Sequence, residues 1–193
     1  MMALRTIGIA AAMALLLAGC ETNVPARSFP DIGFLHKTPY KLDVATIEVD
    51  KQAPAAPETG SIVHELPVTV DAVAEKWAHQ RLVAVGTNGS AVVKIEKASM
   101  VEENLKKTGG LRGVFTTDQT QRYTADLEIS LSLSNEHGKG MVRASARKIR
   151  TIAEDATLAE REKLWFDMVE TLAREVDDEM DRQIGGHLQE FLR

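Results

Sequence analysis

A strict alternation of apolar and polar residues runs from Tyr123 to Ser134 and constrains the fold more than any other feature of the sequence. The apolar members are Tyr123, Ala125, Leu127, Ile129, Leu131 and Leu133. Because side chains of a strand point alternately to its two faces, this pattern predicts a strand with one buried and one solvated face. Such strands are typical of antiparallel sheets covered on one side.

Three further strands are predicted around this one. Residues 135–140 have the composition of a hairpin loop, and residues 141–152 alternate as the next strand. Residues 91–101 and residues 41–50 also alternate, with a slip near Lys97 in the first and a change of apolar side near Thr46 in the second.

Two segments have the apolar spacing of helices. Residues 70–83 form the first, and a Ser/Thr-x-x-Glu capping box at Thr157 and Glu160 starts a second, longer one. The second apolar stripe continues to Phe191, across a Gly-Gly pair at 185–186. Two outcomes agree with this stripe: the helix projects beyond a small sheet and meets another protein, or it breaks at the glycines and folds back.

The element order β-α-β-β-β-α predicts an α+β fold. We expect a two-layer sandwich in which two helices cover one face of a four-stranded, mainly antiparallel sheet. Residues 41–193 are expected to form this single domain.

The amino terminus has the features of an export signal. Arg5 precedes an uncharged run over residues 7–17, which is shorter than the roughly 20 residues that span a bilayer. Residues 1–19 are therefore expected to be a signal peptide. Residues 20–40, with three prolines and little periodicity, are expected to be a flexible tether.

Leu17, Ala18, Gly19 and Cys20 follow the uncharged run. They resemble the lipobox of bacterial lipoproteins, in which an apolar residue and two small residues precede a cysteine. The resemblance implies cleavage before Cys20, a diacylglyceryl group on its sulfur and an acyl chain such as palmitate on its new amine, which together anchor a protein firmly. The alternative is an ordinary secretory signal followed by a free thiol.

The residue after the cysteine is Glu21. In the sorting rule that accompanies the lipobox resemblance, Asp at this position favours retention in the inner membrane. Glu21 therefore implies the periplasmic face of the outer membrane, with the inner membrane as the alternative.

The proline-containing tether and the element order are similar to those of small periplasmic auxiliary lipoproteins of ABC-type, lipid-transport and outer-membrane assembly systems. The similarity implies a non-enzymatic accessory subunit with an envelope protein as its partner. The alternative is a lipoprotein that binds a lipid or another small apolar ligand between sheet and helices. No functional residue beyond Cys20 can be transferred from this resemblance.

Composition and motifs argue against several other classes. The net charge of −5 is unsuited to a nucleic-acid partner. The five histidines are scattered without metal-ligand spacing, and no Gly-x-Ser-x-Gly motif is present. We expect no enzyme activity, no metal, and no cofactor besides the lipid on Cys20. Asp177 and Asp178 are expected on a solvated helix face.

A connection between strands, near residues 104–121, contains Leu111, Arg112, Val114 and Phe115. Its glycines lack the lysine of a phosphate-binding loop. The apolar residues predict a contact with a partner protein or lipid, or else they tuck under the domain.

Positive charge is concentrated on the predicted last strand, at Lys139, Arg143, Arg147, Lys148 and Arg150. These residues either pair across strands with Asp126 and Glu128 or form a strip that meets anionic lipid or an acidic partner.

Overall fold

The structure is a computed structural model that describes residues 28–51, 59–105 and 119–193, with side chains from Gln121 onward in the last range. The helices and strands of these ranges are β1 (Tyr40–Leu42), β2 (Thr46–Lys51), α1 (Val70–Arg81), β3 (Leu82–Ala84), β4 (Ser90–Asn104), β5 (Gln119–Asn135), β6 (Gly138–Ala153) and α2 (Leu158–His187). Short 3-10 helices cover Val63–Glu65 and Gln189–Phe191.

The main sheet has four strands in the order β2-β4-β5-β6. The β4–β5 and β5–β6 pairs are antiparallel, whereas β2 is parallel to β4. Strands β1 and β3 form a separate parallel pair. Helices α1 and α2 pack on the main sheet and on each other. The predicted α+β class is confirmed, with a mixed main sheet and the small β1–β3 sheet beside it.

Strand β5 has the predicted dry and wet faces. Its six alternating apolar residues, from Tyr123 to Leu133, are all at most 2% exposed. The predicted hairpin is also present, with Glu136 and His137 forming the two-residue turn between β5 and β6. The slip near Lys97 corresponds to a β-bulge, because the β4–β5 register shifts between Ile95 and Lys97.

Several element boundaries differ from the prediction, and two of these differences change how the chain is paired. Residues 41–50 do not form one strand, because the backbone N–H of Asp43 turns away to donate to the carbonyl of Phe191, 2.8 Å away. The first helix ends at Arg81 rather than Val83, because Leu82 and Val83 pair with β1.

Helix α2 begins at the predicted capping box and runs unbroken through the Gly-Gly pair to His187. Its 30 residues span about 45 Å, while β4, β5 and β6, with 15 to 17 residues each, are about 50 Å long. The helix is therefore no longer than the sheet, and the stripe from Trp165 to Phe191 is buried. The helix neither projects nor breaks at the glycines: the chain turns after His187, and Leu192 bridges to Leu42.

Candidate functional site

Residues 28–39 form a strap of irregular backbone across α1 and α2. Ile32 and Phe34 are buried in the core, and the ring of Phe29 stacks on that of Phe166 with centroids 5.1 Å apart. The expected flexible tether covered residues 20–40. The structure differs for residues 28–40, because their apolar side chains pack into the domain. Residues 20–27 lie outside the described ranges.

The strap is bonded to α1 along its length. Lys76 pairs with Asp31, the backbone N–H of Phe34 donates to Oε1 of Gln80 at 2.6 Å, and a guanidinium N–H of Arg81 donates to the carbonyl of Thr38. The strap therefore runs in the direction of α1, toward its carboxyl end.

Buried charge joins the strap to α2. Asp177, which is 2% exposed, accepts hydrogen bonds from Nε1 of Trp77 and from Nε of Arg81, each at 2.8 Å. The Lys37 ammonium lies 2.7 Å from the other oxygen of Asp177. The expectation that Asp177 faces solvent is wrong, because two side chains of α1 and one of the strap surround its carboxylate.

The neighbouring acids complete this cluster, which we call the strap network. Asp181 accepts from the hydroxyl of Tyr40 at 2.7 Å and from Lys37 at 3.0 Å, and it also pairs with Arg81. Asp178 accepts from Lys37 at 2.8 Å and remains about half exposed. Two basic side chains thus hold three carboxylates.

Burial in the strap network disfavours the charged forms of its side chains. Their hydrogen bonds and ion pairs favour the charged forms more strongly. Burial alone would raise the pKa of Asp181, but hydrogen bonds from Tyr40 and Lys37 and the charge of Arg81 lower it. Burial would lower the pKa of Lys37, yet its bonds to the carboxylates raise it. Burial and the hydrogen bond to Asp181 raise the pKa of Tyr40 to about 12. At neutral pH these groups keep the protonation states that hold the strap.

Helical spacing explains how the network is assembled. Trp77 and Arg81 are four residues apart on α1, and Asp177 and Asp181 are four apart on α2, so each pair lies on one helix face. The sequence contained a signal for this site: Asp177 lies within the apolar stripe, next to Val176 and three residues before Met180.

A second charged cluster lies at the hairpin end of the domain. Asp43 pairs with Arg193 at 2.6 Å and with Nε2 of His137 at 3.3 Å, while its carbonyl accepts from Nδ2 of Asn135 at 2.8 Å. The hydrogen bond from Arg193 is the main cause of the lowered pKa of Asp43. This cluster fastens the last residues to the loop between β1 and β2.

The basic residues of β6 are largely paired, as one of the two predicted alternatives requires. Arg147 contacts Asp126 at 2.6 Å and Arg143 contacts Glu128 at 2.9 Å, both across β5–β6, while Lys148 pairs with Glu175 of α2. These contacts favour cross-strand pairing over an open basic strip.

The predicted site residues lie outside the described ranges. This holds for Leu17, Ala18, Gly19 and Cys20, and for Leu111, Arg112, Val114 and Phe115. The last four belong to the segment that leaves β4 at Asn104 and returns at Gln119. Among the described helices, none combines the length and apolar character needed to cross a membrane.

Within the described ranges, two groups of acidic or histidine side chains are close enough to share an ion: Asp177 with Asp178 and Asp181, and Asp43 with Glu136 and His137. In both groups carboxylates are bonded to Lys or Arg side chains of this chain. Their geometry is that of ion-pair clusters that fasten segments together.

Comparisons with known proteins give the following similarities. No known family model matches this chain, and no curated protein matches it in sequence. A minor lipoprotein from Acinetobacter baumannii is similar in structure with 12% identity, a TM-score of 0.37, and coverage of 77% of this chain and 92% of that one. Rare lipoprotein B from Shewanella oneidensis has 10% identity, a TM-score of 0.38, and coverage of 72% and 94%.

A PelC dodecamer from Paraburkholderia phytofirmans is similar at 11% identity, with a TM-score of 0.24 and coverage of 72% of this chain and 91% of that one. The first two of these three solved structures are lipoproteins by name. At TM-scores this low, nothing about the function of this chain follows from them.

Proposed function

We propose that this chain is a lipoprotein, anchored through Cys20 to the periplasmic face of the outer membrane, whose domain serves as a non-enzymatic accessory subunit of an envelope transport or outer-membrane assembly system. The observation that carries the proposal is the lipobox-like sequence Leu17-Ala18-Gly19-Cys20, followed within eight residues by the strap that is built into the domain. A lipid on Cys20 would hold the whole domain at the bilayer.

The accessory role is supported by the ion pairs that the described carboxylates form. The buried acid Asp177 and the half-buried Asp181 bind Lys37 and Arg81, and Asp43 binds Arg193. A general acid or base needs a perturbed pKa together with access to a substrate. These carboxylates are instead occupied by basic side chains, which suits a structural role.

The partner contact is proposed to involve Leu111, Arg112, Val114 and Phe115. Support comes from the strands on either side, because Asn104 of β4 pairs with Gln121 of β5. The segment between them therefore starts and ends at the same end of the sheet, which gives a partner one region of the domain to bind.

The other function that the sequence leaves open is the binding of a lipid or another small apolar ligand between sheet and helices. The described interface is filled by large side chains that pack in one cluster, including Trp77, Tyr123, Trp165, Leu172 and Met180. The accessory role is therefore the better supported proposal.

Replacing Cys20 with Ser tests the anchor. The wild-type mature chain is expected in the membrane fraction, with an intact mass raised by diacylglyceryl and acyl groups. The Cys20→Ser variant should be released into the soluble fraction and should take up no labelled fatty acid. An unmodified wild-type mass, or a variant that stays with the membrane, contradicts the proposal.

Glu21→Asp is the matched variant, because it changes the next residue and leaves Cys20 intact. Lipidation should continue, while the sorting rule predicts a shift from the outer to the inner membrane on a density gradient. Unchanged outer-membrane recovery would remove the argument from Glu21 without affecting the anchor.

The partner is tested by crosslinking in intact cells followed by mass spectrometry. A variant with Leu111, Val114 and Phe115 each changed to Ser should lose a specific envelope protein from the crosslinked products. Arg122→Ala is a control in the described start of β5, where Arg122 pairs with Glu103, and should keep that protein. Equal recovery from both variants argues against this contact.

A further inference from the structure

The chain between the lipid and the folded domain is short. Ser28 follows Cys20 by eight residues, and a fully extended chain covers at most 3.6 Å per residue, so the two Cα atoms lie within about 29 Å of each other. We call residues 20–27 the leash. The flexible tether expected from the sequence would have allowed more than twice this distance.

The leash joins the domain at a defined position along the axis of α2. The ring of Phe29 stacks on Phe166, which lies about 12 Å from Leu158 at the start of α2 and about 32 Å from His187 at its end. The hairpin turn at Glu136 and His137 lies at the far end, because Gly140 of β6 packs against Leu188 just after α2.

The direction of the strap adds a second constraint. Phe29 contacts α2 at Phe166, whereas Lys37 contacts it at Asp177 and Asp181. The strap thus runs along α2 toward the hairpin end, and the chain enters it from the side on which α2 begins.

From these two constraints we infer that the anchored domain turns the end at which α2 begins toward the membrane and holds the hairpin end away from it. The inference rests on the proposed lipid at Cys20. With the start of α2 at the bilayer, the contact between Phe29 and Phe166 is about 12 Å above it and within reach of the leash. With the hairpin end at the bilayer, the contact between Phe29 and Phe166 would be about 32 Å above it, more than the roughly 29 Å that a fully extended leash covers.

The end at which α2 begins therefore faces the anchoring lipid leaflet, and a protein that binds the segment between Asn104 and Gln119, which starts and ends there, meets it beside the membrane. Leu158 is the first residue of α2 and is 64% exposed at this end. The interfacial region of a bilayer accepts such a side chain. The hairpin end, with Asp43 and His137, lies away from the bilayer in the aqueous compartment.

Fluorescent labels at the two ends test this orientation. Cys20 is the single cysteine of the chain, and lipidation blocks its sulfur, so a cysteine introduced by Leu158→Cys or Glu136→Cys is the sole reactive thiol. Both positions are exposed. The two labelled lipoproteins are reconstituted in phosphatidylcholine vesicles with a quencher attached at the headgroup. The label at 158 should lose most of its fluorescence, and the label at 136 should keep it.

The outcomes separate the orientation from the anchor. A second label on each protein would show that Cys20 is a free thiol and would overturn the proposed function together with the inference. One label per chain, with equal quenching at both positions or stronger quenching at 136, would overturn the orientation alone.

A lengthened leash gives a further check. A flexible insert of 20 Gly and Ser residues between Asn23 and Val24 allows the hairpin end to reach the bilayer, so the contrast between the two labels should shrink. An unchanged contrast would show that the leash does not set the orientation and would overturn the argument.

Discussion

Two sets of ion pairs stabilise this domain, and they differ in exposure. In the strap network, the side chains of Arg81 and Asp177 are each 2% exposed. On the outer face of the sheet, Arg147 pairs with Asp126 at 2.6 Å, but its side chain is 61% exposed. A buried charge that loses its partner is left without solvation, so the loss strongly destabilises the folded protein. At the surface, water solvates the charge in place of the lost partner, and the cost is small. The strap network therefore fixes a segment in place, and the outer pairs contribute little.

Arg81→Met is expected to give the largest effect. The variant keeps most of the side-chain volume but leaves Asp177 buried with only Trp77 and Lys37 as donors. Loss of one partner of a buried pair costs about 4 kcal/mol, and equilibrium unfolding in urea should show a decrease of this size.

The matched control is Arg143→Met on the outer face, where Arg143 pairs with Glu128 and is about half exposed. It should reduce the free energy of unfolding by less than about 1 kcal/mol. Equal losses for the two variants would remove the distinction between the two sets of pairs.

Phe34→Ala measures how much the burial of apolar side chains contributes to the attachment of the strap. Phe34 is 3% exposed and its neighbour Leu35 is 81% exposed. Truncation of the buried ring should cost about 3 kcal/mol in thermal or urea unfolding, whereas Leu35→Ala should change stability by less than about 0.5 kcal/mol. A small effect of Phe34→Ala would mean that charge alone holds the strap.

Alkaline titration tests the strap network through Tyr40. Its pKa is raised to about 12 by burial and by the hydrogen bond to Asp181, and that of Lys37 is raised as well. A tyrosine whose pKa is higher in the folded than in the unfolded protein stabilises the fold at any pH below its unfolded-state pKa of about 10. This stability is lost as the pH rises from that pKa to the folded-state pKa. The strap should therefore stay bound up to about pH 10 and loosen above it.

Absorbance of tyrosinate measures this titration. The chain has two tyrosines, so the difference between wild type and Tyr40→Phe isolates Tyr40. Ionisation of Tyr40 near pH 10 in the folded protein would contradict the buried geometry of the network.

Arg147→Ala should give the smallest effect. Its pair with Asp126 is exposed, and such pairs contribute about 0.5 kcal/mol, which added salt reduces further. A loss of several kcal/mol that is independent of salt would show that the outer face contributes as much as the strap network.

Much of the fold could be predicted because local patterns specify it. The alternation of β5 and the Thr157–Glu160 capping box each depend on residues close in sequence, and both are present as expected. The three-residue strands β1 and β3 are too short for a periodic signal, and their pairing became visible only in the structure.

The strap could not be predicted for a different reason. Its decisive contacts are remote, since Lys37 and Asp178 are 141 residues apart, and its backbone has no regular period. Proline content suggested a tether, whereas Phe29, Ile32 and Phe34 supplied apolar area that no local rule could assign to a partner.

Hydrogen exchange of residues 28–40 in the mature chain, followed by mass spectrometry, tests most directly whether the segment after the anchor is part of the folded domain. The backbone N–H groups of Phe34 and Lys37 are both hydrogen-bonded, to Gln80 and to the carbonyl of Phe34 respectively. We predict that this segment exchanges orders of magnitude more slowly than an unfolded peptide, and that Arg81→Met accelerates it. Exchange of the wild-type segment at the unfolded rate would contradict the strap, and with it the short leash and the orientation at the membrane.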